Sequence, residues 1–157
     1  MNQPVPPLGF PNDTFDLIYA LSVFTHLGEV GQLSWIRELR RIARPGGYVL
    51  ITTHGSAPYY LRLLSPAQQA GFHDGQLVID ASGPVGSNQF SAYHPETYVR
   101  VTLSEGFTVV AYLEGGAFGN PYQPPPTPRT PRRPGAARHD EPVAVHLALD
   151  GDIFRVR

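Results

Sequence analysis

Apolar side chains fall along this chain in two rhythms. Phe15 to Ala20 (FDLIYA) is a short, nearly continuous apolar run, the pattern of a strand covered on both faces. From Gln32 to Arg44, the residues Leu33, Trp35, Ile36, Leu39 and Ile42 recur at helical spacing, with Arg37, Arg40 and Arg41 set as a solvated face. This predicts an amphipathic helix whose late arginines suit the negative end of its dipole and whose stop is Pro45-Gly46-Gly47. Tyr48 to Thr53 (YVLITT) then reads as a second buried strand. Strand, helix and strand in close succession make a βαβ unit, so the predicted fold class is α/β with a parallel sheet.

The later pattern is less regular. Residues 56–75 read as short helical turns, with Ser65 capping and Pro66 in a first helical position. Val78-Ile79-Asp80 is a minor strand, Pro95 to Glu105 a helix ended by Gly106, and Phe107 to Leu113 (FTVVAYL) a third buried strand. Pro121 to Pro142 holds eight prolines and four arginines and no Leu, Ile, Val, Phe or Trp. Such a stretch cannot offset its ordering entropy, so it is expected to be an extended or disordered linker. Beyond it, Val143 to Leu149 and Asp152 to Val156 flank Asp150-Gly151, a pair that favours a tight hairpin turn. The expected organisation is a globular domain over 1–120, a linker over 121–142 and a terminal strand or hairpin over 143–157. The composition of 121–157 also raises the expectation that its reading frame is disturbed.

Composition narrows the chemistry. All 12 basic residues are arginine, which removes lysine Schiff-base chemistry and the phosphate loop ending in Gly-Lys. Cysteine is absent, excluding a disulfide scaffold, a thiolate zinc site and a cysteine nucleophile. A net charge of -1 gives no field to draw in nucleic acid or anionic lipid. No apolar run nears the ~18 residues of a membrane span, and the N-terminus lacks the basic start of a secretory signal. These features predict a cytoplasmic protein that acts on small molecules. No H-E-x-x-H or H-x-H spacing occurs, so no metal is assigned.

The run FPNDTFDLIYALSVFTHL, the segment WIRELRRIARPGG and the strand YVLITTHG together resemble the second half of a class I S-adenosylmethionine-dependent methyltransferase of the type 11/12/25 family. The likeness covers about residues 5–55. SAYHPETYVRVTLSEGFTVVAYLEGG is similar, less specifically, to the last helix and strand of a subgroup directed at sugars or small molecules. Gly9, often proline in the family, and Ala43, usually leucine, depart from the pattern. The resemblance implies a partial Rossmann-like, doubly wound sheet lacking its first strands, S-adenosyl-L-methionine as cofactor, and methyl transfer to a small-molecule or sugar-like acceptor. In the family the cofactor rests on a glycine-rich loop and an acidic residue upstream of the matching segment, and no G-x-G pattern occurs in these residues. The chain is therefore expected to be the C-terminal half of the enzyme, inactive alone. Gly46-Gly47 is read as a helix stop, and Gly115-Gly116 follows a strand without a helix after it. The alternatives are a non-catalytic Rossmann-like relic or partner subunit and, less favoured, a dinucleotide-dependent dehydrogenase.

Open α/β sheets bind ligands beyond the carboxyl ends of their strands. The resemblance then implies that Ala20, Leu21 and Ser22 line the cofactor. It sets His26 where relatives face cofactor or acceptor, with Thr25 beside it, so His26 is the candidate catalytic residue; both could equally cap the next element. His54 and His94 each follow a strand and are candidate acceptor contacts, His94 otherwise serving as a helix cap before Pro95. His73-Asp74 reads as a surface loop pair.

Overall fold

The computed structural model describes residues 5–113 and 151–156. Strand β1 (Phe15–Ala20) is followed by a tight turn at Phe24–His26, helix α1 (Glu29–Ile42) and strand β2 (Ala43–Thr52). β1 and β2 pair in parallel, with Leu17 opposite Tyr48 and Ala20 opposite Ile51, so the predicted βαβ unit is present. Helix α1 begins three residues before the periodic stretch. Gly28 takes the N-cap position, and Glu29 supplies negative charge to the first turn, where the dipole favours it. Ile36, Leu39 and Ile42 press against the sheet and are 2%, 6% and 2% exposed.

The helix stop differs from the expected one. Ala43 is already extended (φ -81, ψ 139), and Ala43 to Gly47 belong to β2. Pro45 explains this, because a residue before proline is driven out of the helical region, which commits Arg44 to extended backbone. The glycines have a separate reason to be there. A Cβ on Gly47 would lie 3.0 Å from the Asp16 carbonyl oxygen and 3.3 Å from that of Phe15, so a side chain there would press on the β1 backbone.

The arginines of α1 are not uniformly solvated. Arg41 grips the buried Glu38 at 2.6 Å and donates to the carbonyls of Phe10 and Leu8, while Glu38 accepts from the Leu8 N–H at 2.7 Å. The Glu38 carboxyl is held below its ordinary range, chiefly by the hydrogen bond from Arg41. This pair ties the proline-rich opening loop to the helix.

Residues 58–81 form α2 (Pro58–Leu61), α3 (Pro66–His73) and β3 (Val78–Ala81). The Ser65 cap is present as a reciprocal capping box with Gln68. β3 pairs antiparallel with β4 (Phe90–Tyr93), a strand the sequence did not disclose. This small sheet packs with Leu64 and Phe72 into a second core. Helix α4 (Glu96–Tyr98) runs on into a wider π-type turn over Val99–Leu103, close to the predicted span. Gly106 follows with φ +84. β5 (Phe107–Leu113) matches its predicted bounds.

Strand β6 (Gly151–Val156) runs antiparallel between β2 and β5, giving the order β1-β2-β6-β5. Phe154 is fully buried and Val156 is 6% exposed. The linker over 121–142 and Val143 to Leu149 lie outside the described residues. The described residues form an α/β arrangement whose main sheet is mixed, with β1 and β2 as its parallel pair.

One expectation about β1 is overturned. It is not covered on both faces: Leu17 and Tyr19, two positions apart and so on the same face, are 53% and 66% exposed.

Candidate functional site

The carboxyl ends of the parallel pair β1 and β2 point the same way, and the segments that leave them meet. Ser22 adopts φ 54, a left-handed conformation, and its N–H donates to the buried Thr52 Oγ1 at 2.7 Å. A non-glycine residue held there marks a backbone fixed by its surroundings. Ala20, Leu21 and Ser22, the residues expected to line a cofactor, therefore form a rigid turn joined to the end of β2.

His26 lies in the turn that follows. Its Nδ1 is 2.8 Å from the Phe90 carbonyl oxygen on β4. A carbonyl can only accept, so Nδ1 carries the proton, and in the neutral ring Nε2 is left with its lone pair. Thr25 beside it is buried, and its hydroxyl has no partner among the described residues. The capping alternative is not realised by either: Gly28 is the N-cap of α1, with no side-chain cap bond.

His54 leaves the end of β2 and makes a bridge to Tyr93. Its ring lies 6.5 Å from that of His26, 4.4 Å from Tyr60 and 5.4 Å from Tyr93, centre to centre. Burial, and then the neighbouring His26, lower its pKa to about 4. His94 is fully buried, and neither ring nitrogen has a hydrogen-bond partner among the described residues. Burial and the nearby His54 lower its pKa to about 3. Its backbone N–H donates to the His54 carbonyl at 2.7 Å. His94 does not cap the next helix, because Pro95 occupies the N-cap and no side chain caps it. The structure thus gathers His26, His54 and His94 into one run of neighbouring rings beyond the end of β2. It leaves His73 and Asp74 apart, exposed at the end of α3.

Across β1 the character changes. A groove of about 530 Å³ follows its outer flank, lined by Phe15, Ile18, Tyr19, Trp35 and Leu39 among others. Sequence reasoning expected an open apolar edge here, because the sheet lacks its first strands, but did not find the groove itself. Nor did it find Tyr60 or Phe90. Tyr59-Tyr60 after Pro58 was the available signal for an aromatic surface, but Phe90 carried none. Among the described residues no group of three or more His, Asp or Glu could hold a metal ion, and no helix is long and apolar enough to cross a membrane.

The family described as a methyltransferase domain matches residues 2–51, the segment holding β1, α1 and nearly all of β2. No curated protein sequence matches the chain. Among solved structures, a SAM-dependent methyltransferase from Methanosarcina mazei is similar at 16% identity and a TM-score of 0.49, over 96% of this chain and 63% of its own. The chain thus spans less than two thirds of that relative's length. The family match describes a methyltransferase-like segment over residues 2–51.

Proposed function

We propose that this chain forms the acceptor-side wall of an S-adenosylmethionine-dependent methyl-transfer site, acting on a small-molecule oxygen or nitrogen acceptor. The observation that carries this reading is the Nδ1–Phe90 bond, which leaves Nε2 of His26 as a base beyond the carboxyl ends of two parallel strands. The family match over the same segment supports it. When bound, the cofactor supplies an electrophilic methyl carbon.

The chain's own residues then do three things. Ala20, Leu21 and Ser22 offer one side of the cofactor a fixed backbone. His26 takes the acceptor's proton at Nε2, and the Phe90 carbonyl holds the resulting imidazolium through the same Nδ1–H. His54, neutral at pH 7 with its pKa near 4, keeps competing positive charge away from that proton transfer. The residues described fit one wall of such a site only. The donors of a glycine-rich loop and a ribose-binding carboxylate are not offered by this turn, and charge-assisted contacts of that kind contribute roughly 1.5–3 kcal/mol each. Three of them are worth roughly a thousandfold or more in affinity at ~1.4 kcal/mol per tenfold.

Calorimetry with S-adenosylmethionine tests the reading. The 157 residues alone are expected to bind too weakly to measure, and the same chain extended by upstream in-frame coding sequence to bind well. In the extended chain, His26→Gln should lower kcat by about a hundredfold, within the usual range for loss of a general base, with cofactor affinity unchanged. Micromolar binding by the 157 residues themselves would show that the contacts supposed missing are supplied by a site not recognised here. A second reading, a non-catalytic relic or partner subunit, is favoured by the apolar flank of β1. It predicts that neither version binds the cofactor.

A further inference from the structure

His26 is gripped by the segment that joins β3 to β4. Its own N–H donates to the Val23 carbonyl at 3.1 Å, its carbonyl accepts from the Gly86 N–H at 2.9 Å, and its Nδ1–H donates to the Phe90 carbonyl at 2.8 Å. Among the described residues, Nε2 is the one polar group of His26 without a backbone partner. Gly86 and Phe90 are kept at a set spacing by bonds within the segment. The Ser87 N–H and hydroxyl both donate to the Pro84 carbonyl, at 3.0 and 2.7 Å, and the Ser87 carbonyl accepts from the Phe90 N–H at 3.0 Å. Two turns thus share Ser87. Gly86 stands third in the first of them with φ +84, a conformation glycine adopts freely and most side chains resist. Space is not the reason for this glycine, since a Cβ there would meet nothing within 4 Å. Phe90 anchors the other end: it is buried, and a Cβ on Gly28, the N-cap of α1, would stand 3.8 Å from its ring.

We infer that Gly86 and Ser87 are positioning residues for His26, holding its backbone and the Phe90 carbonyl in the arrangement that keeps the ring proton on Nδ1 and leaves Nε2 to accept. The inference rests on the proposed methyl-transfer reading and adds what sets its base. A neutral imidazole has two tautomers, and the hydrogen bond made at one nitrogen decides which is present. With the proton on Nε2 instead, that nitrogen would be a donor and could not take the acceptor's proton. Both grips on His26 are backbone groups, so side chains of the turn act only through the conformation they allow. Gly86 acts through its positive φ and Ser87 through its bonds to Pro84, whereas the exposed Val85 side chain between them and Pro84 does neither.

Nitrogen-15 NMR of the histidine rings in the full 157-residue chain reads the tautomer, because protonated and unprotonated ring nitrogens resonate far apart; about pH 8 lies above the ordinary imidazole range. The His26 signals are assigned by their loss in His26→Gln. The parent chain is expected to carry the His26 proton on Nδ1. Gly86→Val, whose branched side chain resists positive φ, should move most of that proton population off Nδ1, and Gly86→Asn, tolerated at positive φ, should keep the parent signature. Val85→Ala should leave the signature unchanged. A turn that merely supported the fold would lose stability in these variants without moving the ring proton. Should Gly86→Val unpair β3 from β4, seen as lost contacts between Ile79 and Ala92, Ser87→Ala reads the same effect, smaller, by removing only the hydroxyl bond to Pro84. A ring proton that neither variant moves overturns the inference and leaves His26 standing as the proposed base. A parent chain with the proton on Nε2 overturns both. Failure of cofactor binding in the extended chain leaves the positioning of His26, measured without cofactor, standing.

Discussion

The two flanks of the parallel pair are built on opposite principles. Outside β1 lies an apolar groove with exposed Leu17 and Tyr19, where nothing among the described residues pairs with the strand edge. Beyond β2 the chain has closed on itself, with β4, the His54 bridge and α2 filling the space by ring contacts and backbone bonds. The first flank is determined by what it lacks, the second by what it holds. An open apolar edge invites association, whereas burying imidazoles costs stability.

That cost is the largest effect to look for, and it depends on pH. In the unfolded chain His54 and His94 take up protons as pH falls through their ordinary value of 6.5, while the folded chain keeps both neutral until about 4 and about 3. Stability is therefore full above 6.5 and is lost as pH drops toward 4. Each histidine that is protonated only in the unfolded state contributes a slope of about 1.4 kcal/mol per pH unit. The groups that bear on these rings are His26 beside His54 and Tyr98, whose own hydroxyl pKa is raised by burial, beside His94. Urea titrations between pH 7 and 4 should show the loss, and His94→Leu should make it shallower. A flat profile would mean that the two imidazoles are not buried in the neutral form.

The next effect belongs to the sheet both flanks share. Phe154 is fully buried in β6, where it opposes Val49 of β2 and Val109 of β5. Phe154→Ala should cost about 3–5 kcal/mol by chemical denaturation, the usual price of a large core cavity. A cost below about 1 kcal/mol, typical of a surface site, would remove β6 from the core.

What could be read in advance divides along the same line. The bounds of β1 and β5, the periodicity of α1 and the Ser65 cap all follow from residues within a few positions of one another, and local pattern revealed them. The candidate site did not yield in the same way. Its histidines could be named, because each follows a strand, but the bond that fixes the His26 tautomer joins residues 64 positions apart. β4 is only four residues long, too short for its alternation to declare itself. Glu38 reads as one more charge on a helix face, and only the fold brings the Leu8 N–H and Arg41 to it. The Arg-Pro-Gly-Gly segment was misread because a helix stop and a close strand crossing use the same residues.

A smaller effect separates the turn after β1 from its surroundings. Thr52→Val removes the acceptor of the Ser22 N–H while keeping the shape of the buried side chain. The turn should lose roughly 1–2 kcal/mol, the penalty for an orphaned backbone donor. Faster amide exchange at Ser22 than in the parent chain would register it, and unchanged exchange would show that the turn is held by something other than Thr52.

The smallest effect probes the open flank and is the most informative about it. Tyr19 is 66% exposed and Leu17 53% exposed, on a strand whose outer edge has no neighbour among the described residues. Side chains so placed contribute little to folding, so Leu17→Ala and Tyr19→Ala should each change stability by no more than about 0.5 kcal/mol. The Phe154 variant, only two strands away, supplies the contrast within one sheet. If instead either edge variant costs more than about 2 kcal/mol, as truncation of a covered apolar side chain does, the flank is occupied in solution. Repeating the measurement over a hundredfold range of protein concentration then identifies the occupant. A cost that grows with concentration means a second copy, since association stabilises by mass action, and one that stays constant means that the chain covers its own edge. In either case the contrast between an open and a closed flank would be replaced by one between two filled ones.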